Sequence, residues 1–131
     1  MRALVIDDSR AMRRIVGTIL TDLGYEVREA GHGREALDVL ESGSAEGWVP
    51  ELCCIDWNMP VMDGLQFVFA VRANPAYRQV TLMMVTTESE TGQIVKALAA
   101  GAHEYLIKPF TPEAFTDKLD LLGLVPAKAL S

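Results

Sequence analysis

The chain has 131 residues, of which 50% are hydrophobic and 23% are charged, and this composition is ordinary for a soluble globular protein. Its length fits one domain whose core needs neither disulfides nor a structural metal. The net charge of −6 argues against a nucleic-acid ligand, because phosphate backbones are usually bound by a basic face. No apolar run approaches the roughly 20 residues of a membrane span. Because the N-terminus also lacks a secretory signal, we expect a cytoplasmic protein.

The first half of the chain predicts three strands separated by two helices. The strands are Ala3–Ile6, Tyr25–Ala30 and Leu52–Ile55. A helix capped by Ser9 fills the first gap, with a stop at Gly24. Its apolar face is predicted to hold Ile15, Val16, Ile19, Leu20 and Leu23. The second helix is marked by Ala36, Leu37, Val39 and Leu40, and a Gly- and Ser-rich loop is predicted over Ser42–Pro50.

The second half continues the alternation. Leu65, Val68, Phe69 and Arg72 mark a third helix that ends before Pro75. Strands are predicted over Val80–Val85 and Tyr105–Ile107, with a helix marked by Ile94, Val95, Leu98 and Ala99 between them. Thr111 and Pro112 are a cap and first turn for a last helix that uses Phe115, Leu119 and Leu122.

Five alternating strand–helix pairs predict a doubly wound parallel sheet with helices on both faces, an α/β fold of the flavodoxin type. In such sheets ligands bind at the carboxyl ends of the strands, where the strand order reverses. Four of the five predicted strands end in polar or charged residues, which are Asp7, Asp8, Asp56, Thr86 and Lys108. If the strand order is 2-1-3-4-5, the first and third strands are neighbours and the three acids converge.

The predicted acid cluster indicates a metal site. Two carboxylates about 4 Å apart repel by roughly 4 kcal/mol at an effective dielectric near 20, so three of them must take up protons or hold a cation. An all-oxygen site with few protein ligands suits Mg²⁺ better than Ca²⁺, which prefers 6–8 oxygen ligands. The residue spacing that zinc requires is absent.

The same residues suit phosphoryl transfer. A carboxylate such as Asp56 is able to attack phosphorus and form an aspartyl phosphate, while Lys108 supplies a fixed positive charge and the Thr86 hydroxyl a hydrogen bond. A purely structural alternative treats Asp7 and Asp8 as caps of the first helix, Asp56 as a turn residue and Lys108 as an ion-pair partner. Convergence of all of them at one sheet edge favours the chemical interpretation.

Four segments resemble the receiver domain of two-component response regulators. They are VIDDS at residues 5–9, DWNMPVMDG at 56–64, MVTTE at 84–88 and YLIKPF at 105–110. The resemblance is closest to single-domain chemotaxis response regulators, and it implies a receiver domain over residues 1–123 followed by a C-terminal tail over 124–131.

The resemblance implies a role for each matched residue. Asp56 would be phosphorylated by a phosphohistidine on a histidine kinase or a histidine phosphotransfer protein, and the protein would catalyse only its own phosphorylation and dephosphorylation. Asp8, Asp56 and the main-chain carbonyl of Asn58 would ligate Mg²⁺, with Asp7 acting mainly through a bound water. Thr86 and Lys108 would sense the phosphate, and the Lys108–Pro109 peptide would be cis.

A switch follows from these roles. Phosphorylation adds charge and acceptors at one end of the sheet, and these draw Thr86 toward them. Tyr105 matches the family's switch aromatic, which turns inward into the space that Thr86 leaves. The surface made by the fourth helix, fifth strand and fifth helix then changes shape, and binding of a partner protein there is coupled to phosphorylation. The oligomeric state is left open between a monomer and a phosphorylation-dependent dimer.

Several other residues receive interpretations. Asn58 and Glu88 occupy positions that modulate phosphate hydrolysis in the family, and we expect a short-lived phosphate. Arg10, Arg13 and Arg14 form a basic cluster that is either a docking face for the phosphodonor or an ordinary solvated helix surface. Residues 88–93 are acidic where chemotaxis regulators carry a lysine pair, which argues against a flagellar-motor target.

Two enzyme or cofactor readings compete with the receiver interpretation. A haloacid-dehalogenase-type phosphatase also uses an aspartyl nucleophile with Mg²⁺, but it requires a second acid where this chain has Asn58. A flavin-binding domain of similar topology requires a Gly- or Ser/Thr-rich phosphate loop where this chain has Asp7 and Asp8. The residues at both positions therefore favour a receiver domain over a phosphatase or a flavin-binding domain.

Overall fold

A computed structural model describes residues 1–125 and gives a five-stranded parallel sheet with the order β2-β1-β3-β4-β5. The strands are β1 (Arg2–Ile6), β2 (Glu26–Ala30), β3 (Leu52–Ile55), β4 (Thr81–Thr86) and β5 (Glu104–Ile107). The helices are α1 (Arg10–Asp22), α2 (Gly33–Glu46), α3 (Gly64–Arg72), α4 (Thr91–Ala100) and α5 (Pro112–Leu121), with a short 3₁₀ turn at Pro75–Tyr77. The predicted fold class and strand order are confirmed.

The two faces of the sheet carry separate cores. Alternate residues of each strand point to opposite faces, so β3 gives Cys53 and Ile55 to one core and Leu52 and Cys54 to the other. The first core lies under α2, α3 and α4, and the second under α1 and α5. The two cysteines are free and buried, and burial raises the pKa of the Cys53 thiol to about 12. They pack in the two cores.

The predicted Ser42–Pro50 loop is wrong over its first half. α2 continues to Glu46 and ends at Gly47, whose φ of 80° gives the left-handed helix stop. Gly43 lies against Trp48, where a Cβ would come within 2.6 Å of the Trp48 carbonyl oxygen. The glycine therefore allows close packing between the helix and Trp48, and the loop between α2 and β3 is residues 47–51.

Three helices bury fewer of the predicted apolar residues than their spacing indicates. On α1, Val16 and Leu20 are buried but Ile15 is 51% exposed. On α3, Phe67 is fully buried while the predicted Phe69 is exposed. On α4, Ala97 is buried whereas Val95 and Leu98 are exposed. Helical spacing identifies an apolar stripe but does not show which edge of it meets the sheet.

The end of the described chain is attached to the second core. Leu124 and Val125 pack against that core, and the Tyr25 hydroxyl donates to the Leu124 carbonyl. The remainder of the predicted tail, residues 126–131, lies outside the described residues, so the domain boundary at residue 123 stays a prediction. None of the helices in residues 1–125 has the length and apolar character needed to cross a membrane.

Candidate functional site

The carboxyl ends of β1 and β3 bring three acids together. These strands are paired in parallel, with Ile6 opposite Ile55, so the residues that follow them leave the sheet side by side. Carboxylate oxygens of Asp7, Asp8 and Asp56 lie within 4.8 Å of one another. Three carboxylates at this separation repel strongly unless a cation lies among them, and the cluster is able to hold a metal ion.

Asp7 is buried and is held at every polar atom. Its N–H donates to the Ala30 carbonyl, and its side chain accepts from the Ser9 N–H at 2.9 Å. Its other carboxylate oxygen accepts from the Lys108 ammonium at 2.7 Å, and its carbonyl accepts from Arg13 at 2.5 Å. Asp8, in contrast, is exposed to solvent. The two adjacent acids therefore have different environments, one fixed and one open.

Asp56, the third acid of the cluster, is 8% exposed. Its Oδ1 accepts from the Trp57 N–H at 2.9 Å and lies 3.8 Å from the Lys108 ammonium. Burial is the main cause that raises the pKa of Asp56, and the charge of Asp7 adds to it. The Thr86 hydroxyl, Lys108 and the Trp57 N–H act in the opposite direction on this pKa.

Tight backbone packing holds Asp56 in place. Gly64 begins α3 directly against it, where a Cβ would lie 2.2 Å from the Asp56 carbonyl oxygen. The α3 N-terminus is closed by a reciprocal pair of hydrogen bonds between Asp63 and Gln66. The intervening loop makes a tight turn at Val61, whose φ is 68°. This β-branched residue at positive φ is a strained position beside the site.

Glu88, on the loop between β4 and α4, contacts three parts of the site. Its side chain accepts from the Asn58 amide at 3.2 Å, and its N–H is 3.4 Å from the Thr86 hydroxyl oxygen. Its carbonyl accepts from the Tyr105 hydroxyl at 2.7 Å. Tyr105 is buried, so its ring already points inward. The loop thus joins the acid cluster to the aromatic residue on β5.

The remaining predictions concern Lys108 and the arginines. Lys108 follows β5 and reaches across the sheet edge to Asp7 and Asp56, and the Lys108–Pro109 peptide is cis. The structure separates the three arginines of the basic cluster, because Arg10 and Arg14 are exposed whereas Arg13 bonds Asp7 and Glu29. Sequence reasoning missed this contact of Arg13. Its signal was the first-turn position in α1, from which side chains point back toward the helix N-terminus.

Comparison with known proteins identifies the family. The family described as the response regulator receiver domain matches residues 3–120. The chain belongs to this family.

Several named relatives of the receiver domain are chemotaxis proteins. Chemotaxis protein CheY1 of Helicobacter pylori strain J99 is 42% identical over 123 residues, which cover 93% of this chain and 96% of that protein. A CheY homolog of Campylobacter jejuni strain 81-176 is 45% identical over 125 residues, covering 94% and 93%. The structure of Vibrio cholerae CheY4 has a TM-score of 0.81 and 38% identity, covering 92% of this chain and 96% of that chain. Receiver membership favours a phosphoacceptor protein over the phosphatase and flavin alternatives.

Proposed function

We propose that this receiver domain accepts a phosphoryl group on Asp56 from a phosphohistidine of a histidine kinase or phosphotransfer protein. The supporting observation is that Asp56 lies within 4.8 Å of the acids that follow β1 and 3.8 Å from the Lys108 ammonium. A buried carboxylate beside other carboxylates is costly unless the site uses it. Here it faces a fixed cation, the arrangement that stabilises a transferring phosphoryl group.

In the proposed step, a carboxylate oxygen of Asp56 attacks the phosphorus of the donor. A new O–P bond forms as the N–P bond of the phosphohistidine breaks, and the departing imidazole nitrogen takes up a proton. Lys108 and the Thr86 hydroxyl bind the phosphoryl oxygens as charge moves onto them. Water later attacks the acyl phosphate and restores the carboxylate, so the protein is a switch with self-phosphorylation and self-dephosphorylation as its only catalysis.

The residues present fit a magnesium ion. Asp8 is open to solvent, Asp56 lies within reach, and Asn58 offers its main-chain carbonyl, while Asp7 is engaged with Ser9 and Lys108 and is left to act through a bound water. Carboxylate and carbonyl oxygens are the donors that Mg²⁺ prefers, and few protein ligands leave room for phosphate oxygens. Bound Mg²⁺ neutralises charge on the acids and on the phosphoryl group.

In the proposed switch, Glu88 connects Thr86 to Tyr105. Movement of the Thr86 hydroxyl toward a phosphoryl oxygen releases its contact with the Glu88 N–H, and the Glu88 carbonyl is bonded to Tyr105. We place the output at the α4–β5–α5 face, defined as the exposed side of Thr91–Ala100, Glu104–Ile107 and Pro112–Leu121. Val95, Leu98 and Ile107 are exposed apolar residues there. A protein partner that binds this face is then coupled to phosphorylation.

The relatives support a role in chemotaxis signalling, with a downstream protein target. Glu88 and Glu90, just before α4, are acidic where chemotaxis regulators carry a lysine pair, and this argues against the flagellar motor as the target. Net negative charge argues against nucleic acid as the target. We propose a monomer whose α4–β5–α5 face either binds this target or pairs with a second copy after phosphorylation.

The direct test uses acetyl phosphate as donor with intact-mass measurement. The wild-type protein is expected to gain one phosphoryl group when Mg²⁺ is present and none when the metal is chelated. Asp120→Asn removes an exposed acid on α5 that lies outside the site, and it should gain one phosphoryl group as the wild-type protein does. An equal mass gain with and without Mg²⁺, or no gain under any condition, would contradict the proposal.

A further inference from the structure

We infer that Arg13 is a positioning residue for the metal site, rather than part of a docking face with Arg10 and Arg14. The inference rests on the proposed Mg²⁺ site and adds a residue that orients its ligands. Arg13 is in the first turn of α1, but its side chain is only 18% exposed. Its guanidinium turns back over the helix N-terminus to the end of β1.

The contact that carries this inference is with the Asp7 carbonyl. One nitrogen of the Arg13 guanidinium donates to that oxygen at 2.5 Å. The carbonyl belongs to the peptide that joins Asp7 to Asp8, and a peptide unit is planar, so fixing this oxygen also fixes where the Asp8 backbone begins. Asp8 is the exposed member of the acid cluster, and the peptide that follows it is held by the Ser9 N–H bond to the Asp7 carboxylate. Arg13 therefore adds the restraint on the peptide that precedes Asp8.

Arg13 is itself fixed from a second direction. Its Nε donates to Glu29 at 3.0 Å, near the end of the edge strand β2. The planar guanidinium of Arg13 makes both hydrogen bonds at once and in fixed directions. A lysine ammonium on a flexible side chain does not fix the two directions in this way. The side chain thus bridges β1, α1 and β2 beside the metal site.

Charge and geometry predict opposite effects of removing Arg13. A positive charge near the site disfavours a second cation, so loss of the charge alone should strengthen Mg²⁺ binding. Loss of a group that orients a ligand should weaken Mg²⁺ binding. Mutation of residues that orient metal ligands typically lowers metal affinity by 10- to 100-fold. Because Glu29 already compensates part of the charge, we expect the orientation effect to dominate.

The test measures Mg²⁺ dissociation constants by tryptophan fluorescence, with Trp57 next to Asp56 as the reporter. Arg13→Ala and Arg13→Gln should raise the dissociation constant by about tenfold, and Arg13→Lys should give an intermediate value. Arg14→Ala, at the adjacent exposed position, should change it by no more than about twofold. The phosphorylation rate of the Arg13 variants by acetyl phosphate should return close to the wild-type rate at saturating Mg²⁺.

The outcomes test the proposed metal site and the role of Arg13 separately. If the wild-type protein binds no Mg²⁺, the proposed metal site is wrong. If the wild type binds Mg²⁺ and Arg13→Ala and Arg13→Gln bind it equally well or more tightly, the positioning role is wrong and Arg13 acts only as a charge. Circular dichroism of each variant shows that it is folded, and Arg13→Gln serves if Arg13→Ala does not fold.

Discussion

At the scale of single residues, the pKa of Asp56 is subject to opposing effects from its neighbours. Burial raises its pKa, and the neighbouring Asp7 carboxylate adds to that increase. Lys108 lies 2.7 Å from Asp7 and 3.8 Å from Asp56, so one ammonium offsets the charge of both acids. In the proposed transfer step, the same ammonium also binds the phosphoryl group. Its two roles are separable by mutation.

Lys108→Met is expected to slow phosphorylation by acetyl phosphate by about 100-fold, because one preorganised cation is lost from the transition state. Mg²⁺ affinity should stay equal or increase, since a competing positive charge has been removed. The rate comes from a time course of intact mass at saturating Mg²⁺, and the affinity from a fluorescence titration. Lys96→Met on the exposed side of α4 is the control. Equal loss of rate and of metal affinity would mean that Lys108 maintains the fold of the site.

Tyr105 gives a prediction about pH. Burial, together with the charges of Glu88 and Asp56, raises the pKa of Tyr105 from 10.0 to about 12. Because the folded state holds this proton more tightly than the unfolded state, the contribution to stability is complete below about pH 10 and is lost as the pH rises toward 12. Urea unfolding at about pH 9 and about pH 11 should show a larger loss of stability for wild type than for Tyr105→Phe. Equal losses would contradict the buried position of the phenol.

At the scale of elements, two glycines show what composition does not predict. Gly43 and Ser42 favoured a loop by composition, yet Ser42 donates its hydroxyl back to the Asp38 carbonyl at 3.0 Å and the helix continues. Gly64 lies in contact with the Asp56 backbone, and nothing in the local sequence indicates that contact. A glycine's role depends on what lies beside it in space, and composition does not contain that information.

Two glycine substitutions should therefore have opposite effects. Gly64→Ala places a methyl group 2.2 Å from the Asp56 carbonyl oxygen, and we expect it to destabilise the fold by about 1–3 kcal/mol and to slow phosphorylation. Gly92→Ala, in an exposed turn of α4 where the new methyl group would meet no other part of the protein within 4 Å, should stabilise by about 0.5–1 kcal/mol. Urea unfolding followed by circular dichroism measures both. If Gly64→Ala is as stable as wild type, the close approach is wrong.

The apolar stripe of α4 shows a second limit of sequence reasoning. Spacing identified Ile94, Val95 and Leu98 as one face, but Val95 and Leu98 are exposed and the buried residue is Ala97. The same apolar pattern arises from a core-facing stripe and from a surface kept for a partner. Only the position of the helix on the sheet tells the two apart.

At the scale of the whole molecule, the parallel sheet was predictable from the alternation of elements, and its strand order was expected from the resemblance to receiver domains. Alternating strands and helices indicate a parallel sheet, and the order β2-β1-β3-β4-β5 places Asp7, Asp8 and Asp56 at one edge. The residues at strand ends were therefore accessible from the sequence. The contacts of Arg13 and of Glu88 were not, because they depend on side-chain directions across elements that are distant in the chain.

The most direct test of the central claim is to locate the phosphoryl group. Wild-type protein is treated with acetyl phosphate and Mg²⁺, the acyl phosphate is reduced with borohydride, and the modified peptide is identified by mass spectrometry. We predict one modified residue, Asp56, and no added mass in Asp56→Asn under the same conditions. Modification of another residue in the wild-type protein, or phosphorylation of Asp56→Asn to the wild-type extent, would contradict the claim that Asp56 is the phosphoacceptor.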